Sequence, residues 1–124
     1  MKRDMDLARE ILLFAEENCP GGGEARVSVD DFENTDPERD LYAHIKMLER
    51  QQFLQNVQQA SGYIFLADLL WHGHNFLDSV RDPEIWKKTK EVAHKAGGFT
   101  FDILGDIAKG LIKTQVKKYT GVEI

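Results

Sequence analysis

The chain has a single cysteine, Cys19, so no intrachain disulfide can hold it together. It has no apolar run near the roughly 20 residues that cross a bilayer. Its start, MKRDMDLAREILL, carries acids within the first six residues and lacks the unbroken apolar core and small-residue cleavage site of a secretory signal. These absences together predict a cytoplasmic protein without a membrane span. Catalytic patterns are missing as well. Gly21 to Gly23 is not followed by the Lys-Ser/Thr of a phosphate loop. Cys19 sits before Pro20 with no catalytic neighbours, and the acids Asp30, Asp31 and Asp36 fall in a polar connector. His72 and His74 form the only His-x-His pair, but on a helix their side chains point about 200° apart and cannot share a metal. The sequence therefore predicts no enzyme, no cofactor and no metal centre.

What is present is an ordinary globular composition. Of 124 residues, 42% are hydrophobic and 30% charged, which suits one compact domain with room for an appended element. The net charge is −5, unevenly spread. Residues 1–83 hold 16 acids and eight bases, whereas residues 84–124 hold five acids and eight bases. Proteins that grip nucleic-acid phosphates usually show a basic face, so the acidic first part argues against an automatic DNA assignment.

Periodicity and breakers give the elements. Leu7, Ile11 and Phe14 repeat at helical spacing over Met5 to Glu17, with Asp4 or Asp6 as cap and Pro20 to Gly23 as stop. Ala25, Val27 and Val29 alternate, predicting a strand over Glu24 to Val29. Asp36-Pro37 is a cap-and-proline start for a second helix reaching about Gln51, its buried face marked by Leu41, Ile45 and Leu48. Phe53 to Val57 and Tyr63 to Leu66 read as paired strands joined by a short loop, Gln58 to Gly62. A third helix starts at Leu69 or Leu70 and runs to about Val80. A fourth follows Asp82-Pro83 to about Lys95, and Gly97-Gly98 ends it. Thr100 can cap a fifth, from Phe101 to about Lys118. The helix–hairpin–helix order over Leu41 to Leu77 is that of the second half of a winged-helix domain. The expected architecture is mainly α (α+β): a winged-helix-like domain over residues 1–82, then a two-helix extension over 83–124.

Several stretches resemble a family of uncharacterised bacterial and prophage proteins, a domain of unknown function. They are the opening MKRDMDLAREIL, the helix Tyr42-Ala43-His44-Ile45-Lys46-Met47-Leu48, and the block Trp71-His72-Gly73-His74-Asn75-Phe76-Leu77-Asp78 with Arg81-Asp82, Trp86 and Lys88 to Lys90 after it. The resemblance implies a winged-helix-like domain with a helical extension, often carried by mobile elements, and no activity. Two positions depart from the family pattern. Leu70 stands for a usual Thr, and Gln51-Gln52 for a usual small Gly between the second helix and the first wing strand.

The candidate sites follow. Arg39, Ala43, Lys46 and Arg50 share one face of the second helix, where cations could meet phosphates or guanine edges in a major groove. Glu38, Asp40 and Glu49 flank them. The wing tip, Gln58 and Gln59, offers amides where a DNA-binding wing normally carries Arg or Lys. His44 is expected at the core edge and His94 on the surface, while His74 is expected to hydrogen-bond near Trp71 or Asp78. Trp71 and Trp86 read as packing anchors. The fifth helix has an apolar stripe including Phe101, Leu104, Ile107 and Leu111 that fits core packing or homodimerisation better than a membrane surface, because Asp102 and Asp106 interrupt its basic character. The leading expectation is a small prophage-type regulatory protein, dimeric, contacting double-stranded DNA through Arg39, Lys46 and Arg50. The rival is an acidic module that binds a protein partner instead.

Overall fold

In a computed structural model the described residues are 3–19, 24–32, 40–60 and 63–120. Helix α1 (Met5–Asn18) starts where Asp4 accepts the Leu7 N–H at 3.0 Å, the usual satisfaction of an orphan first-turn amide. Its Leu7, Ile11, Leu12 and Ala15 are buried, as the spacing requires. Strand β1 (Glu24–Val27) is two residues shorter than expected. Beyond it Ser28 gives its N–H to Asp31 Oδ2 at 2.8 Å, and the chain coils into a short 3-10 turn over Val29–Asp31. That local side-chain bond competes with the strand ladder and leaves Val29 exposed.

Helix α2 (Leu41–Arg50) begins later than the Asp36-Pro37 signal predicts, a pair that lies outside the described residues. Its cap is Asp40, in the left-handed region at φ 52°, whose Oδ1 accepts the Ala43 N–H. Aspartate is one of the few residues that tolerate this backbone. Strands β2 (Leu54–Ala60) and β3 (Tyr63–Leu69) follow. Both are longer than their sequence signal, so only residues 61 and 62, outside the described set, join them. The sheet is antiparallel in the order β1-β3-β2.

The β2–β3 ladder is irregular in an informative way. Leu54 pairs with Leu69, Gln55 with Ala67, and Gln58 with Phe65. One extra residue on β3 is thus offset by one extra on β2, and the original register returns. A bulge normally leaves an amide unpaired. Here Glu49 reaches from α2 to accept the Val57 N–H at 2.9 Å, and Gln55 Nε2 donates to Asp68 Oδ2 at 2.8 Å.

Helix α3 (Trp71–Val80) begins at Trp71; Leu69, a candidate start, is the last residue of β3. Helix α4 (Pro83–Ala96) has Asp82 as cap, accepting from Glu84 and Ile85, and ends on Gly97 at φ 79°. Helix α5 (Phe101–Thr120) starts with Thr100 Oγ1 accepting the Ile103 N–H. The fold is thus mainly α with a small antiparallel sheet, five α-helices and three strands among the described residues.

The chain divides within α3 into two compact units, residues 1–74 and 75–124. In the first, α1 packs on β3, β1 and α2, and α2 on β2; the core is built from Leu7, Ile11, Leu12, Ile45, Leu48, Leu54 and Leu66. In the second, α4 and α5 pack together, with Trp86, Thr89, Ala93, Leu104 and Ala108 enclosed and Phe76 edge-on to Phe101 at 5.1 Å.

Candidate functional site

The α2–hairpin region holds most of the sequence-predicted site residues. Arg39 lies outside the described residues. Ala43 is half-buried, and Arg50 is exposed at the end of α2. Lys46 is not simply presented to solvent: its ammonium donates to Glu49 Oε1 at 2.6 Å. The bond to Glu49 raises the Lys46 pKa. Burial pushes the Glu49 carboxyl upward, but the Lys46 hydrogen bond and the Val57 amide outweigh it and hold that carboxyl below its usual range. One carboxylate therefore serves two purposes, neutralising a candidate DNA contact and closing the bulge in β2.

Gln58 and Gln59 are exposed but are not a loop tip. They lie inside β2, paired with Phe65 and Ile64. The region is also less neutral than the hairpin sequence implies. Arg26, from β1, places its guanidinium 4.6 Å from the ring centre of Tyr63, the first residue of β3. Arg26 pairs with Phe65 in the ladder, so Tyr63 is its diagonal neighbour on the same face. Sequence reading missed this cation because strand order, not chain proximity, brings β1 beside β3. The only signal was an Arg amid the alternating Ala25 and Val27.

His44 is inside the core, 1% exposed, rather than at its edge. The Asp4 backbone N–H donates to His44 Nε2 at 2.8 Å, and Nδ1 lies 2.9 Å from the Asp40 carbonyl. An N–H donor at Nε2 and a carbonyl at Nδ1 fix the neutral tautomer with its proton on Nδ1. The side chain joins the caps of α1 and α2, a structural task.

The Trp71-to-Asp78 block divides by role. An added Cβ on Gly73 would press into the Phe53 carbonyl oxygen and lie 2.7 Å from Leu69 Cδ1. Only glycine lets α3 come this close to the turn after α2, where Phe53 O also accepts the Leu70 N–H at 2.8 Å. Phe76 and Leu77 are buried. Trp71, expected as a packing anchor, is 77% exposed. His74 approaches neither Trp71 nor Asp78: its Nδ1 is 4.0 Å from Glu16, and Asp78 takes Arg81 at 2.7 Å. Trp86, by contrast, is buried, with the Lys90 ammonium 5.6 Å from its ring.

On α5, Leu104 is fully enclosed, while Phe101, Ile107 and Leu111 are half-buried. Cys19 is buried, with its thiol directed at the Leu66 carbonyl; burial, then the Asp68 charge, raise its pKa, which keeps it a neutral thiol and a poor nucleophile. No group of three metal-ligating side chains occurs among the described residues, and no described helix is long and apolar enough to cross a membrane.

A model of the hypothetical-protein family DUF2513 matches residues 2–99. The chain belongs to this family. It is also 32% identical over 118 residues to an uncharacterised protein of Haemophilus influenzae, covering 90% of this chain and 96% of the relative. No solved structure matches it. The DUF2513 match takes in α1 to α4, including the glycine contact at Gly73, and stops before α5.

Proposed function

We propose that this DUF2513 chain is a small, non-enzymatic, prophage-type regulatory protein whose first unit is winged-helix-like and contacts double-stranded DNA. The observation that carries the reading is topological. Helix α2 runs directly into the β2–β3 hairpin, and β1 pairs with β3 in the order β1-β3-β2. In winged helices the helix before the wing is the one that enters the major groove. Arg50 is exposed at its end, Lys46 is half-exposed, and Arg39 completes the sequence stripe. Arg26, stacked on Tyr63 at the hairpin end, supplies the cation that Gln58 and Gln59 do not. The Lys46–Glu49 pair is no strong barrier, because ion pairs open to water are weak and screened by salt and Glu49 keeps its Val57 bond when Lys46 turns to a phosphate. The protein acts as a homodimer through the half-buried α5 residues Phe101, Ile107 and Leu111.

A second reading has its own support. Residues 1–74 carry 14 acids against seven bases, a balance that suits a basic protein partner and repels phosphate.

Fluorescence anisotropy with duplex DNA at roughly 50 and 200 mM salt separates the two. The DNA reading expects binding that weakens with salt and drops at least tenfold in a chain carrying Arg39→Ala, Lys46→Ala and Arg50→Ala. Absence of binding at the lower salt sinks it in favour of the protein-partner reading. Glu49→Gln, which keeps an acceptor for Val57 but releases Lys46, is expected to tighten binding.

A further inference from the structure

We infer that α5 supplies a second, sequence-independent phosphate-contact surface through Lys109, Lys113 and Lys117. The inference rests on the DNA reading and assigns the non-specific part of that binding to the unit that carries the positive charge. The three lysines stand at i, i+4 and i+8 on one helix face, and all three are exposed. They span about 12 Å of helix at 1.5 Å per residue. This face lies away from Leu104 and Ala108, which are fully enclosed where α5 packs on α4. After Asp106 the helix has no acid: residues 107–120 hold Lys109, Lys113, Lys117 and Lys118 only. Helices α4 and α5 together carry eight lysines and four acids, a net charge of +4.

An exposed row of compact ammonium charges reads charge and not sequence. A polyanion with regularly spaced charge is the matching partner. Duplex DNA is favoured over an anionic membrane by the placement of the apolar side. A helix lying on lipid needs its apolar face open to insert, whereas Leu104 and Ala108, at the centre of the apolar side of α5, are fully enclosed. The inference also accounts for the charge division of the chain. The first unit's acidic balance gives no general attraction to DNA, leaving α2 and the hairpin to discriminate, while α5 raises the local concentration.

The test is the salt dependence of binding to a random-sequence duplex by the full chain and by a variant with Lys109→Gln, Lys113→Gln and Lys117→Gln. Each site is exposed, and circular dichroism checks that helix content is kept. Three lost phosphate contacts should reduce the slope of log K against log salt by about 2.7, from roughly 0.9 per contact. The same changes to Arg should restore the slope. An unchanged slope in the Gln variant overturns the inference while leaving the α2 reading intact. Failure of the parent chain to bind duplex at about 50 mM salt overturns both. Lysine-dependent binding to phosphatidylserine vesicles, with none to duplex, assigns the surface to lipid and also overturns it.

Discussion

Residues 1–74 and 75–124 reach stability by different routes. The first unit depends on a few residues that each act across elements. His44 joins two helix caps, Glu49 closes a bulge, and Gly73 admits a backbone carbonyl. The second relies on standard helix chemistry: Asp82-Pro83 and Thr100 as starts, Gly97 as stop, and acids early and lysines late in α5. Charge differs as well, with 14 acids and seven bases in the first unit against seven acids and nine bases in the second. The contrast teaches that a sheet with an irregular ladder needs long-range side-chain repairs, while a helical hairpin can be specified locally.

Glycine substitutions probe that contrast most sharply. Gly73→Ala should destabilise the first unit by about 3 kcal/mol, since the obstacle is a backbone carbonyl that cannot move aside cheaply. Urea unfolding of the purified variant measures this, and an unchanged midpoint would refute the close approach. Next in size is Glu49→Ala, expected to cost about 2 kcal/mol because the Val57 amide loses its acceptor. The same carboxylate gives a pH signature. Its folded-state pKa is lowered, so its stabilisation is present above the unfolded value, about 4.3, and is lost as pH falls through the folded one. Thermal melts from neutral to acid pH should show Glu49→Gln losing less stability than the parent over that window; parallel curves would remove Glu49 as a source of acid sensitivity.

The smallest effects reverse in sign. Gln52 holds φ 63°, the left-handed region where glycine is favoured, so Gln52→Gly should stabilise by roughly 0.5–1 kcal/mol. Gly110 stands mid-helix with open space around an added Cβ, and Gly110→Ala should stabilise by up to about 1 kcal/mol. Equal destabilisation by Gly73→Ala and Gly110→Ala would erase the distinction between the units.

The second unit was the more legible in the sequence. Asp82-Pro83, Gly97-Gly98 and Thr100 placed α4 and α5 nearly to the residue, because capping acts within one turn. In the first unit the hairpin was legible but its length was not, since pairing through Ala60 and Tyr63 depends on partner strands. The turn after α2 places Gln52 at positive φ, and the sequence could not show which residue of Gln51-Gln52 bears it. Arg26 beside Tyr63 and Lys46 held by Glu49 were invisible, because a face on one helix says nothing about a neighbouring strand or a carboxylate recruited to a bulge. The exposure of Trp71, the first residue of α3, reversed its expected role as a packing anchor.

The most direct test of the central claim is an amide-resolved NMR titration of the chain with duplex DNA. The account predicts shift changes at Arg26, Lys46, Arg50, Gln58 and Gln59, with a second set along Lys109 to Lys117. Saturating DNA that leaves α2 and the hairpin unshifted, or that does not bind at all, would contradict it.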